Sequence, residues 1–293
     1  MPRHWLIDWN SPWRWSLYFI SGHWAWSAFL FSASAFSALM IIVGFKTRFF
    51  SVLSLVLLIS LQNRTPLLMQ GGDSLLSALL FWACFLPMGA RYSLESVKNS
   101  LDPIKDLRKG LVNNHLSISS GAILIQAMSV YFFSAFLKTG AEWQLDGSAI
   151  YFALHLDDTT TGLAQYWRDY IWLTKPLTHY VWWLELLGPL LIFTPIANTL
   201  FRYIFIVCFI TLEIGFLLNL QIGLFPLISI TSILFFLPNH FWNLAERKVV
   251  LEKQQKLTIY FDQPCGFCRN LCLILRAGLF IPHARILPAL SIP

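Results

Sequence analysis

The chain has 293 residues, of which 56% are hydrophobic, 16% aromatic and only 12% charged, with a formal charge of +6. Soluble domains carry roughly 25% charged residues, and here the charges crowd into 91–109, 138–175 and 246–285 with nearly charge-free runs between them, which excludes an ordinary water-soluble globule. The positive balance would suggest nucleic acid in a soluble chain, but in a polytopic membrane protein it reads as cytoplasmic loops rich in Lys and Arg, so the expected partner is the lipid bilayer and not nucleic acid.

The first residues hold Trp5, Trp9, Trp13, Asp8, Pro2 and Pro12 instead of an apolar core, so they do not read as a cleavable signal peptide. Seven mostly apolar segments follow, at 16–44, 49–61, 74–89, 119–137, 177–194, 201–218 and 223–237. Crossing ~30 Å of hydrocarbon takes ~20 residues, so the second segment is short. The seventh is interrupted by Pro226 and stopped by Pro238. Thirteen Trp fit the enrichment of that residue at membrane–water interfaces.

Counting Lys and Arg on alternate sides places the loops at 45–48, 90–118 and 195–200 and the C-terminal tail in the cytoplasm. The loop from Lys138 to Lys175 then faces outward, as does the N-terminus. An upstream helix would explain how the N-terminus gets there.

After a charged linker at 243–256, Leu257, Ile259 and Phe261 alternate as a short strand, and the chain continues through Cys265-Gly266-Phe267-Cys268 into an apolar helical run, 271–280. The prediction is an all-α polytopic membrane protein of about seven transmembrane helices over 1–242, with a short C-terminal α/β (thioredoxin-like) fragment over 257–293.

The strongest local pattern is Tyr131 to Trp143, where Lys138 ends an apolar helix and Gly140, Glu142 and Trp143 follow. One reading is snorkelling, with the amine reaching up to the headgroups. The other is a partly buried amine that acts as a base or binds an anion. Arg64 and Asp73 flank a Pro-Gly-Gly break and form either a structural ion pair at a turn or part of a binding site. Glu185 and Glu213 lie inside apolar helices, as hydrogen-bonded structural groups or as steps of a proton path. His155, Asp157 and Asp158 form an outward polar cluster, too thin in ligands to predict a metal site. Cys-x-x-Cys between a strand and a helix suits a redox pair, Cys265 as nucleophile and Cys268 as resolving thiol. A zinc half-site completed by Cys272 and His283 is the alternative.

The stretch from Tyr131 through Asp146-Gly147-Ser148 to His155 resembles the membrane domain of vitamin K-dependent gamma-carboxylases, and more closely the HTTM (horizontally transferred transmembrane) domain proteins. Gly44-Phe45-Lys46-Thr47-Arg48, Leu61 to Pro66 with Gly71-Gly72-Asp73, Phe85 to Leu94, Leu184 to Pro189 and Gly223 to Pro226 match in the same order, so the resemblance covers about 15–242.

It implies a bacterial inner-membrane protein with Lys138, on the outer side, as the base for a quinone or vitamin K-like hydroquinone. Arg64, Asp73, Glu142, Trp143 and His155 would be binding residues around it. Arg64 falls where the carboxylases place a helper histidine, and a guanidinium cannot replace imidazole in proton transfer. Glutamate carboxylation itself is therefore not expected. The tail resembles the DCC family of thiol-disulfide oxidoreductases, with Gln263 and Gly266 departing from its motif. Two functions follow from the resemblance: a membrane redox enzyme that couples a quinone-like ligand to thiol-disulfide exchange, or a non-catalytic scaffold for the maturation or export of a secreted peptide partner.

Overall fold

The structure is a computed structural model, and it describes residues 15–90, 93–95, 117–249, 258–261, 266–268, 271–272 and 285–288. The described chain is mostly helical and divides into two compact units. One comprises 1–65, 80–120 and 239–293, the other 66–79 and 121–238.

In the first unit, α1 (Trp24–Val43) and α2 (Thr47–Arg64) form an antiparallel pair. Gly44 closes α1 with φ 73° and Lys46 opens α2 with φ 43°, so two left-handed residues reverse the chain in three positions. The returning end of α2 grips the entry to α1. Ser16 donates to the Ser60 carbonyl at 2.6 Å, Leu17 N–H to the Ser60 hydroxyl at 2.6 Å, and Asn63 to the Trp15 carbonyl at 2.9 Å. Beneath these bonds Tyr18, Leu30 and Leu57 make a small core.

The second unit carries α4 (Ile118–Leu137) from Gly121 onward. It also holds most of α3 (Gly71–Ala83), the short α5 (Ala141–Gln144), α6 (Ala149–Leu154) and α7 (Gly162–Gln165), and the long α8 (Ile171–Leu191) and α9 (Asn198–Asn219). α10 (Phe225–Ile233) completes it, continuing as a 3-10 turn to Phe236. The segment between α4 and α8 is pinned to the end of α9. Thr161 N–H donates to Asn219 O at 3.0 Å, Gln221 N–H to Thr159 O at 2.7 Å, and the Trp167 indole to the Asn219 side chain at 2.9 Å.

Helices lie in all seven apolar segments, but they are not equal. Among the described residues α1, α4 and α9 are long and apolar enough to cross a membrane, and the broken stretch Phe225–Phe236 with Asn239–Ala245 makes up to four. α3, at 13 residues, reaches only about 20 Å. α2 carries Arg48, Gln62, Asn63 and Arg64 at its ends. α8 is long enough, yet it interrupts its apolar surface with Lys175, His179 and Glu185. α1 makes the strongest case for lipid. It is apolar on every side, and Trp24 and Ile42 stand 75% and 78% exposed. A helix apolar all round belongs in a core or a bilayer, and this one is not in a core.

α11 (Asn239–Val249) belongs to the first unit and overlaps the start of the expected linker. In the tail, β1 (Thr258–Phe261) pairs in parallel with β2 (Arg285–Pro288), Thr258 opposite Arg285 and Phe261 opposite Pro288. β1 coincides with the expected strand. β2 was not foreseen, because a four-residue strand ending in Pro gives almost no alternation to read. Parallel strands need a crossover connection, here 262–284. Cys265 and most of the expected helical run 271–280 lie outside the described residues, and so does His283.

The packing of the second unit turns on Gly188. A Cβ there would stand 2.4 Å from a ring carbon of Phe209, and that ring is itself locked, stacked on Phe205 at 4.2 Å and edge-on to Tyr131 at 4.4 Å. Gly188→Ala should therefore overpack the core and lower stability by about 1–3 kcal/mol. Gly215→Ala, on α9 with nothing within 4 Å, should leave stability unchanged or raise it. Thermal unfolding of the detergent-solubilised variants checks this, and equal effects at the two positions would refute the packing argument.

Candidate functional site

Four helices of the second unit each turn a regular stripe toward one interior. α4 brings Tyr131 and Ser134, three residues apart on one face, and Lys138 follows directly past its last residue. On α8 the stripe is Thr174, Thr178, Val181, Glu185 and Gly188. On α9 it is Phe205, Phe209, Leu212 and Glu213, and on α10 Pro226, Ser229, Ser232 and Ile233. Most of these contacts are apolar or small. The exceptions form a polar chain.

Lys138 stands at its more exposed end. Its Nζ donates to Oε2 of Glu185 in a short hydrogen-bonded ion pair, and the ammonium also lies over the Trp143 ring, 4.3 Å from the centroid. The Lys138 side chain is 18% exposed and that of Glu185 3%. The amine therefore turns inward to a carboxylate, not outward to the headgroup level that snorkelling would require. Ser134, one turn back on α4, also faces Glu185. Two further bonds fix the place. The Trp182 indole donates to Ala135 O at 3.2 Å, tying α8 to α4 beside the pair, and the Gln144 side chain donates to Lys138 O at 3.2 Å.

Deeper in the bundle, the Tyr131 hydroxyl donates to Oε1 of Glu213 at 2.7 Å. Glu213 is 0% exposed. Ser229 faces it from α10 and Glu185 is its electrostatic neighbour from α8. A carboxyl group in such a place is very costly unless it is paired, hydrogen-bonded or neutral.

The other expected site residues fall elsewhere. Glu142 is partly buried in α5, beside Gly140. His155 ends α6. Its Nδ1 lies 2.7 Å from Tyr151 O and its Nε2 3.0 Å from Asp169, while Asp157 accepts from Arg168 at 3.2 Å. Both ring nitrogens of His155 thus face oxygens of the same surface cluster. Among the described residues no group of three or more His, Cys, Asp or Glu could hold a metal.

Arg64 belongs to the first unit, where it donates to the Ser27 hydroxyl at 3.0 Å and lies 4.9 Å from the Tyr18 ring centroid. Asp73 belongs to the second and caps α3, accepting from Gln70 N–H at 2.9 Å. Cys268 lies, partly buried, in a short helical stretch at 266–268.

Sequence reasoning missed the Lys138–Glu185 partnership and the roles of Tyr131, Ser134 and Ser229. The signal was available: Lys138 and Glu185 are isolated charges of opposite sign in neighbouring apolar segments, and Tyr131 and Ser134 share a helical face just before Lys138.

The pair yields an asymmetric prediction. Removing one partner of a buried pair costs about 3–5 kcal/mol because the other charge is stranded. Glu185 is the deeper partner, so Lys138→Met should destabilise by about that much, whereas Glu185→Gln should cost less because Lys138 can still reach water. The double variant Lys138→Met/Glu185→Leu should recover most of the loss. Thermal unfolding of the three variants in detergent decides it, and losses that simply add would show that the two residues do not act as a pair.

No protein-family model, no curated protein and no solved structure matches the chain, so the chemistry of this site rests on its own geometry.

Proposed function

We propose that the chain is a membrane redox protein whose second unit binds a quinone-like lipid at Lys138 and takes a proton from its reduced, hydroquinone form. The observation that carries this reading is the Lys138–Glu185 pair beneath the Trp143 ring, a cation and a base joined among apolar helices. A hydroquinone offers a flat ring to the indole and a weakly acidic hydroxyl to the pair. The hydroxyl O–H breaks, the Glu185 carboxylate takes the proton, and the Lys138 ammonium holds the resulting anion. General-base help of this kind contributes typically ~10²–10⁴-fold.

In this reading all seven helices lie in the bilayer, with the Lys138 end outward and the tail in the cytoplasm, on the strength of the Lys and Arg distribution. The resemblance to HTTM and carboxylase membrane domains supports the same ligand class. The thiol arm is supported by the sequence motif. Oxidation of Cys265 and Cys268 to a disulfide releases two electrons and two protons, and a quinone takes up the same to become a hydroquinone.

The test is single-turnover oxidation of a reduced short-tailed naphthoquinone by purified protein whose Cys265 and Cys268 start as a disulfide, which takes up the two electrons and two protons, followed by absorbance. Lys138→Met should lower turnover about 100-fold or more. Cys265→Ser should abolish reduction of the quinone by the protein's own thiols while leaving hydroquinone binding intact. Folded protein that neither binds nor turns over the naphthohydroquinone would defeat the reading.

A further inference from the structure

The Lys138–Glu185 pair leaves a second acid unexplained. Glu213 has no role in the hydroquinone reading, yet it is the most deeply placed charged-type residue in the described chain, fully buried on α9. Around it stand the Tyr131 hydroxyl from α4, which donates to it, the Ser229 hydroxyl from α10 and, as an electrostatic neighbour, the Glu185 carboxyl from α8. None of them is a cation. Lys138 supplies one positive charge, and it is held by Glu185. Among the described residues two buried carboxyl groups therefore share a single counter-charge, and like charges so placed do not both ionise.

The hydrogen-bonding pattern agrees. Oε1 of Glu213 accepts from Tyr131, while Oε2 is buried and makes no hydrogen bond. As a carboxylate, Glu213 would leave a charged oxygen bare in the interior, and a proton on the carboxyl group removes that charge.

We propose that Glu213 is a proton-binding site at the centre of the bundle, a neutral carboxylic acid that exchanges its proton through Glu185 with Lys138. When Lys138 gives a proton to water at its exposed end, the O–H of Glu213 breaks as an O–H forms on Glu185. Glu185 then hands the proton to the Lys138 amine, and the negative charge comes to rest on Glu213, where Tyr131 and Ser229 can both donate to it. The pair thereby gains a proton reserve behind it, and the bundle a step that carries a proton from its middle to its more exposed end. This goes beyond the hydroquinone reading and does not depend on it.

Infrared spectroscopy of the whole protein in lipid, without ligand, tests it. The carbonyl stretch of a protonated carboxylic acid is separated from that of carboxylates, so the wild type at neutral pH should show an acid band that Glu213→Gln removes. Tyr131→Phe should shift that band, since it deletes the donor to Oε1. Lys138→Met should add a second acid band, because Glu185 then loses its counter-charge. The Glu213 band should also shift in D2O.

An absent acid band, or one that survives Glu213→Gln, overturns the proposal. A band with no D2O shift marks a sealed, merely structural acid and overturns the exchange. If Glu213→Gln does not fold, Tyr131→Phe decides alone, and an unmoved band counts against the proposal. Because no quinone takes part, failure here is distinct from failure of hydroquinone turnover.

Discussion

A charge placed among apolar helices has to find its partner inside the protein, because lipid supplies none. In this chain the constraint is met by one bond, from Lys138 at the end of α4 to Glu185 on α8, and much of the second unit follows from it. To bring the two side chains together the helices must hold a fixed register, and the Trp182 indole on the Ala135 carbonyl locks that register beside the pair. The next turn of α8 then has to admit α9 closely enough for Glu213 to meet Tyr131. Gly188 makes that approach by leaving room for the Phe209 ring. The bond, the small residue and the aromatic cluster are successive consequences of burying one cation.

The same logic explains why the chain between α4 and α8 is tied down. Irregular backbone near a bilayer needs partners for its N–H and C=O groups. Thr159, Thr160 and Thr161 find theirs in Leu218, Asn219, Leu220 and Gln221 at the end of α9, through an isolated bridge and flanking bonds. The short helices α5 to α7 are thus fastened at both ends, by Gln144 on Lys138 O and by Trp167 on Asn219. Trp143 is held over the Lys138 ammonium by this arrangement, which makes the indole a wall of the site instead of a free interfacial anchor.

The helical segments were legible in the sequence because their signal is local: a long apolar run reads as a helix whatever it packs against. Their capacity to cross a membrane was less so. α3 and the polar ends of α2 show that an apolar stretch and a full-length span are different things, since 13 residues rise about 20 Å against ~30 Å of hydrocarbon. At the site, the residues were visible and their grouping was not. Lys138, Glu185 and Glu213 stand out as charges in apolar surroundings, but the pairing of Lys138 with Glu185 is a contact across 47 positions and that of Tyr131 with Glu213 across 82. Nothing in a linear pattern selects such partners. His155 shows the same limit at short range. It is close in sequence to Asp157 and Asp158, but its ring reaches Asp169 and the Tyr151 carbonyl instead.

Stability alone does not account for the polar chain. Buried ion pairs replaced by well-packed apolar residues of similar volume are often neutral or stabilising, by ~1–4 kcal/mol. By that measure a bundle with leucine at 213 and apolar residues at 138 and 185 would pack at least as well as this one. Tyr131 and Ser229 add to the difficulty, since each brings a hydroxyl into a core that Phe and Ala would fill without one. What these residues can do and leucines cannot is hold and move protons. They do so in a direction the fold defines, from Glu213, fully enclosed by four helices, to Glu185 and then to Lys138, which alone of the three keeps a share of its surface open. The gradient from sealed to open runs from the Tyr131–Glu213 bond to the Lys138–Glu185 bond, so the arrangement is better understood as a path with an open end than as a set of internal braces.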